Sequence, residues 1–313
     1  MGRNGYVVVI GGSNIDYFAT PDKKLMLRES NPGKLRISCG GVGRNIAENL
    51  ARLGEKVVFI SVFGTDRHSQ LLKKSCTDVG IDISHSLTVR GGNATSYISV
   101  TDDTGAMFVA VSDMELYSRI TKQFIKRRMD VINGADMVCV DTNMDASVIE
   151  YLTENCRSPM FCDPVSAPKA IKIRPFLGRL DTVKPNLGEA EVFLGIKIDD
   201  REGIEYAARN MLSKGVRRLF ISCGARGALC ADKDGQYLVP PCRTGFINDN
   251  GAGDTGSAVI IKSLLDGRSV KQAAMLSQAA SAFCVESELP VCRGLTMDMI
   301  ERRAKENYED FES

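Results

Sequence analysis

The sequence predicts an α/β protein organised around a mostly parallel, doubly wound sheet. Short apolar runs of strand length alternate with segments of helical spacing along the chain. Several of the runs end in a polar residue (Asp141, Asp163, Asn186, Ser222), and the ligand crevice of an open parallel sheet lies outside the carboxyl ends of its strands. Two glycine clusters, Gly40-Gly41-Val42-Gly43 and Gly251-Ala252-Gly253, each run straight into a helical apolar pattern.

The elements follow in order. Tyr6–Ile10 reads as a short strand buried on both faces. Gly12-Ser13-Asn14-Ile15-Asp16 comes next, where Asn14 and Asp16 either close an Asx turn or together hydrogen-bond a vicinal diol. Residues 17–38 are polar, with Asn31-Pro32-Gly33 as a turn. After Cys39 the glycine cluster opens a helix whose Ile46, Leu50 and Leu53 share one face, with Gly54 at its C′ position. Val57–Ile60 is the next strand. Residues 95–101 and 107–111 flank Asp102-Asp103-Thr104-Gly105 and read as a β-hairpin. Residues 137–141, 159–163, 182–186 and 218–222 supply further strands.

Pro185 biases Lys184 away from helix, so a helix begins near Asn186. Asn186 and Glu189 then share its first turn, either as a capping box or as ligand-facing groups. Ser222-Cys223-Gly224-Ala225-Arg226-Gly227 makes a tight strand-to-strand turn.

The late cluster carries the chemistry. Gly251, Ala252 and Gly253 leave their backbone N–H groups open to one ligand oxygen, and a helix starting there adds its positive dipole end. Asp254 stands at the mouth of that cradle. It is either a helix cap or a base that takes a proton from an attacking hydroxyl.

Taken together, the two clusters resemble the two signatures of the ribokinase-like (PfkB) family of carbohydrate and nucleoside kinases. The resemblance covers essentially the whole chain, with the motifs in the expected order. It implies a three-layer α/β/α sandwich with a central mostly parallel sheet and a small β-sheet lid. The core would comprise residues 1–16, 39–92 and 112–313, and the lid residues 17–38 and 93–111. It also implies that ATP and Mg²⁺ are needed, that Asp254 is the catalytic base, and that the Gly251, Ala252 and Gly253 amides form the anion hole. Asn14, Asp16, Gly40, Gly41 and Asn45 would hold sugar hydroxyls. Asn186, Ser222, Gly224, Arg226, Gly227 and Gln278 would line the nucleotide, with Glu189 reaching Mg²⁺ through water. Small residues beside Gln278 suit either a flat base or close helix packing.

The Asp-Thr pair that commonly precedes the late motif reads Asn248-Asp249 here, which puts the use of a monovalent cation in question. The wording of the Asn31, Asn93–Tyr97 and Ser112–Met114 segments is most similar to the branch that phosphorylates pseudouridine at its 5′-hydroxyl. Thr95, Ser96 and Asp113 are then expected to serve the pyrimidine. Phosphorylation of another nucleoside or a ribose-type sugar, or non-catalytic nucleoside binding, are the alternatives.

Composition agrees with a small-molecule enzyme. Among 313 residues, 40 Lys and Arg nearly balance 39 Asp and Glu, so nothing points to nucleic acid or an anionic membrane. No apolar run is long enough to span a bilayer. The first strand follows Met1–Gly5 too closely for a signal peptide, and ten scattered cysteines without a Cys-x-x-Cys pair read as reduced thiols of a cytoplasmic protein. A zinc site is not expected. An exposed lid edge suggests a homodimer through the lid.

Overall fold

The computed structural model describes residues 5–245, 250–287 and 289–311. Their strands are β1 (Val7–Ile10), β2 (Asn14–Pro21), β3 (Gly33–Gly40), β4 (Val57–Ile60), β5 (Val62–Phe63), β6 (Leu87–Thr88), β7 (Ser96–Thr101), β8 (Met107–Asp113), β9 (Met137–Asp141), β10 (Met160–Asp163), β11 (Thr182–Val183), β12 (Arg218–Ser222), β13 (Ala228–Asp232) and β14 (Gly235–Val239). Eight of them form one sheet in the order β14-β13-β12-β11-β10-β9-β1-β4. Neighbours from β4 to β12 pair in parallel, whereas β12, β13 and β14 pair antiparallel.

Period-two alternation explains the layers. Along β1, Val7 and Val9 enter one apolar core and Val8 and Ile10 the other, and all four are fully buried. The first core is closed by helices Val42–Arg52, Ala252–Leu265 and Val270–Val285, the second by helices Ala146–Asn155, Leu187–Leu194 and Arg201–Ser213. The result is the expected three-layer α/β/α sandwich. Burying each such Val or Ile contributes about 1.5–3 kcal/mol.

A smaller sheet stands apart, in the order β3-β2-β7-β8. β2 and β3 pair antiparallel from Asn14↔Gly40 to Pro21↔Gly33, and β2 runs parallel to β7. Its ladder is continuous through Asn14–Asp16, Cys39–Gly40 and Ser112–Asp113, residues that the sequence reading places with the core. The expected strand over 182–186 stops at Val183, because Asn186 leaves the ladder to cap the next helix.

Two glycines let the end of β1 and the first turn of helix Val42–Arg52 approach closely. The chain leaves β1 through Gly11 and Gly12, and the helix Val42–Arg52 passes directly over it. A Cβ on Gly43 would stand 2.7 Å from Gly11 Cα, and one on Gly11 would stand 2.5 Å from an Asp141 carboxylate oxygen. Neither backbone can recede without opening the core.

Gly43→Ala should therefore cost about 1–3 kcal/mol in urea unfolding, the usual range for overpacking. Gly188→Ala, on a helix where the nearest atom to the added carbon is 3.5 Å away, should leave stability unchanged or higher. Equal effects at the two positions would refute the close-approach argument.

Candidate active site

In the large sheet the chain passes from β1 to β4 on one side and then returns to β9 on the other, so its order reverses between β1 and β9. Asp141 ends β9 at this point. Its Oδ2 accepts from the N–H of Gly12 (2.6 Å) and of Gly43 (2.9 Å), and its Oδ1 accepts from the N–H of Asn143 (2.9 Å). Burial raises its carboxyl above the usual range, against these bonds and the nearby Lys169 ammonium. The carboxylate thus ties together the loops after β1 and β9 and the start of helix Val42–Arg52.

A cleft of about 540 Å³ opens over this junction. Its walls include Asn14, Asp16, Gly41, Asn45, Gly251 and Asp254 from the sequence-expected set. Asn14 donates through Nδ2 to Asp16 Oδ1. Burial pushes the Asp16 carboxyl up to about 7, while Arg44, Asn14 and Arg36 pull it down. Gly40 lies across the ladder from Asn14, and any Cβ there would collide with the Asp16 carboxylate. Its part is to make room for Asp16. Gly41, at φ +96°, lets the chain turn into the helix where a Cβ would meet Gly12 O at 2.5 Å.

Asn45 lies on the first turn of that helix and donates through Nδ2 to Asp254 Oδ2 at 2.7 Å. Its amide is aimed by Arg44, which sequence reasoning passed over. This buried guanidinium donates to Asn45 Oδ1 (2.6 Å), Cys39 O (2.8 Å), Gly40 O (3.1 Å) and Glu48 Oε2 (2.5 Å). Arg52 Nη2 holds the other Glu48 oxygen at 2.7 Å. The i, i+4 spacing Arg44–Glu48–Arg52 was readable, but it resembles an ordinary solvated helix face.

Asp254 occupies the first turn of helix Ala252–Leu265, behind Gly251 at φ +79°, where a Cβ would collide with Pro290 O. Ala252 O accepts from the Ser281 hydroxyl at 3.0 Å, which anchors the turn to helix Val270–Val285. The first-turn amides have no partners within the helix and face outward. Burial pushes the Asp254 carboxyl up to about 7, helped by Asp163 and Asp141. The Asn45 hydrogen bond and Lys184 oppose the rise.

Lys184 directly follows β11. Its side chain is buried and reaches under this turn, where a Cβ on Gly253 would lie 3.7 Å from Nζ. Asp163 Oδ2, 3.9 Å from that ammonium, accepts from the Ser257 hydroxyl at 2.8 Å.

Asn186 and Glu189 form the capping box. Asn186 Oδ1 accepts from the Glu189 N–H (2.9 Å), and Glu189 Oε2 accepts from the Asn186 N–H (2.8 Å). The carboxyl of Glu189 is nonetheless driven up to about 7, first by burial and then by Asp163. Among the described residues no group of three or more His, Cys, Asp or Glu is arranged to hold a metal ion.

Ser222 bridges to Asn186, and its N–H donates to Pro185 O at 2.8 Å, so the end of β12 adjoins this cap. The turn after it carries Gly224 and Gly227 at positive φ and an exposed Arg226 that donates to Asp199 O at 2.9 Å. Half-buried Gln278 sits beside Ser277, whose hydroxyl packs against Gly256.

Three expected pyrimidine contacts lie outside the cleft lining. Thr95 is buried and donates to Ser13 O at 2.6 Å. Ser96 donates back to Ala94 O at 3.3 Å. Asp113 is exposed on a separate depression with Arg90 and Arg119. Ser96 pairs with Asp113 and Tyr97 with Ser112, so the two pairs point to opposite faces, and Tyr97 and Ser112 are the ones that line the cleft. Phe18, Met114, Asn143 and Lys169 join them. Asn248 and Asp249 lie outside the described residues. The ten cysteines are free in the structure, and Cys139, Cys162, Cys223 and Cys230 are buried in strands or at their ends.

The family model for pfkB family carbohydrate kinase matches residues 4–291. Pseudouridine kinase from Escherichia coli (strain K12) is 35% identical over 290 residues, covering 92% of this chain and 93% of that protein. Ribokinase from Haemophilus influenzae is 26% identical over 310 residues, covering 94% and 98%. The structure of Arabidopsis thaliana ribokinase complexed with ribose and ATP has the same fold, with a TM-score of 0.85 at 17% identity over 96% of this chain and 99% of that one. With a fold and a site of this kind, and similarity along nearly its whole length, the chain belongs to the pfkB family of carbohydrate kinases, phosphotransferases that act on sugars or nucleosides.

Proposed function

We propose that the protein transfers the γ-phosphoryl group of ATP to the 5′-hydroxyl of pseudouridine. The observation that carries the phosphoryl-transfer chemistry is Asp254, aimed by Asn45 into the cleft at a helix N-terminus. Similarity to pseudouridine kinase over 92% of the chain supports the choice of acceptor. Asp16, Asn14 and Asn45 would hold the sugar hydroxyls, since carboxylates and amides accept from them. Asp254 would take the hydroxyl proton, and the Gly251–Gly253 amides with the Lys184 ammonium would stabilise charge on the moving phosphoryl group.

The turn Ser222–Gly227 and the flank of Gln278 would carry the nucleotide. Glu189 is already engaged in its cap, so it suits water-mediated contact with a Mg²⁺ ion that comes in with the phosphates. That ion would neutralise phosphate charge. The smaller sheet would act as the lid that excludes competing water. No helix among the described residues is long and apolar enough to cross a membrane, which fits the cytoplasmic location we propose.

A coupled assay with Mg²⁺-ATP and pseudouridine, uridine, ribose or adenosine tests the reaction and its acceptor. Turnover should be highest with pseudouridine, and preference for any other acceptor refutes the specificity. Asp254→Asn should lower kcat by roughly two orders of magnitude or more, as loss of a positioned base does. With its carboxyl at about 7, wild-type activity should rise with pH through that value. Stability runs the other way. The folded-state value lies above the unfolded value of about 3.9, so the stabilising contribution is full at low pH and lost as pH rises through about 7. Asp254→Asn should therefore narrow the gap in Tm between pH 5 and pH 8, and an unchanged gap would count against a raised Asp254.

Arg44 is a positioning residue. Arg44→Met frees the Asn45 amide, and kcat should fall about tenfold to a hundredfold, the scale of a lost hydrogen bond to a charged group. The rising limb of the pH–rate profile should move upward, because the Asn45 bond holds Asp254 down. Arg44→Lys should restore little, lacking the planar fork. A lowered Tm with kcat and the limb unmoved would make Arg44 merely structural.

The smaller sheet exposes Leu35, Ile37, Ile98, Val109 and Val111. We propose that a second copy covers this strip. Light scattering should give a dimer for the wild type and a monomer for the double variant Ile37→Asp, Val111→Asp. A monomeric wild type at micromolar concentration would refute it.

A further inference from the structure

The cleft wall carries two chemically different sets of groups. Asp16, Asn14 and Asp254 make one set rich in acceptors, suited to hydroxyls. The other is built by the chain after β10. There Val165 is held at φ +66°, a left-handed conformation that β-branched residues rarely adopt. Its N–H donates to Asp163 Oδ1 at 3.0 Å, and the Ser166 N–H donates to Pro164 O at 2.7 Å. This turn sets Ser166 and Lys169 on the cleft wall.

Lys169 Nζ donates to Asn143 Oδ1 at 2.6 Å, and Asn143 Nδ2 donates to Asp141 Oδ2 at 3.0 Å. The ammonium is thereby fixed in direction, and among the described residues it spends one of its three N–H groups on a hydrogen bond. Burial pulls Lys169 below its ordinary value, Lys172 adds to this, and Asp141 opposes it. Lys172 itself is turned away, donating to Thr142 O at 2.9 Å and Met144 O at 3.0 Å. The rings of Phe18 and Tyr97 line the same cleft.

A free sugar brings hydroxyls, which the acceptor-rich groups serve. A fixed cation with spare N–H groups, in a cleft also lined by aromatic rings, serves a flat group that carries strong acceptors. We propose that Lys169 is the specificity-determining residue of this cleft, donating to a ring carbonyl of a pyrimidine base, with Asn143 aiming it. The assignment rests on the reading of the cleft as a nucleoside site. It explains how a base can be recognised although Thr95, Ser96 and Asp113 lie outside the lining.

Binding calorimetry tests this independently of turnover, using pseudouridine, uridine and ribose with the wild type, Lys169→Met and Lys169→Gln. The wild type should bind pseudouridine more tightly than ribose. Lys169→Met should weaken pseudouridine about tenfold to a hundredfold, as expected for a charge-assisted bond, and change ribose by less than about twofold. Lys169→Gln, which keeps a donor, should fall between and serves if the Met variant does not fold. Equal losses for pseudouridine and ribose would overturn the assignment, leaving Lys169 as support for Asn143 and Asp141. So would no loss at all, or a wild type that gains nothing from either base. Failure of the kinase reading is separate: it appears as silence in the coupled assay while the binding contrast at Lys169 persists.

Discussion

The carboxylate of Asp141 is the constraint on which the site depends. One buried group accepts backbone N–H bonds from the loop after β1, from the start of the helix over it, and from its own loop. Those three segments carry or lead into Asn14 and Asp16, Asn45, and Asn143. Gly11 and Gly43 make the arrangement possible, because any side chain at either would push the segments apart. A charge taken out of water is costly unless it is hydrogen-bonded. Here the same bonds that satisfy Asp141 also set the spacing of the cleft floor.

Around this junction the interior is unusually acidic. Asp16, Glu189 and Asp254 are all driven up to about 7, with burial as the leading cause in each. Asp163 adds to the rise at Glu189 and Asp254, whereas Lys184 opposes it at both. Such a cluster fits the proposed passage of a cation-bearing phosphate chain among the carboxyls. The raised Asp254 in particular has the proton affinity that a base working near neutral pH needs.

Much of this was legible in the sequence. The runs at Tyr6–Ile10, 57–60 and 137–141 announced a buried parallel sheet because valines and isoleucines filled both faces. Glycine clusters before helices marked the two turns of the cleft, since close backbone approach leaves few other residues possible there. The smaller sheet's inward face was missed by one position. A hairpin can be recognised from its turn, but which side of each strand meets the cleft depends on a register that the turn does not reveal. Hence Ser96 and Asp113 were expected where Tyr97 and Ser112 stand. Arg44, Lys184 and Lys169 were hidden for another reason. Lysines and arginines are usually solvated, and only the packed chain shows that these are enclosed and directed.

Arg44 holds the last two carbonyls of β3 with the same guanidinium that aims Asn45 at Asp254. The root of the smaller sheet and Asp254 are therefore joined by one hydrogen-bonded linkage. Displacement of that sheet at Cys39–Gly40 must either break a bond to Arg44 or swing the amide away from Asp254. In the proposed mechanism, closure over an acceptor and alignment of Asp254 would thus become a single event, leaving the open cleft poorly set to spend nucleotide on water.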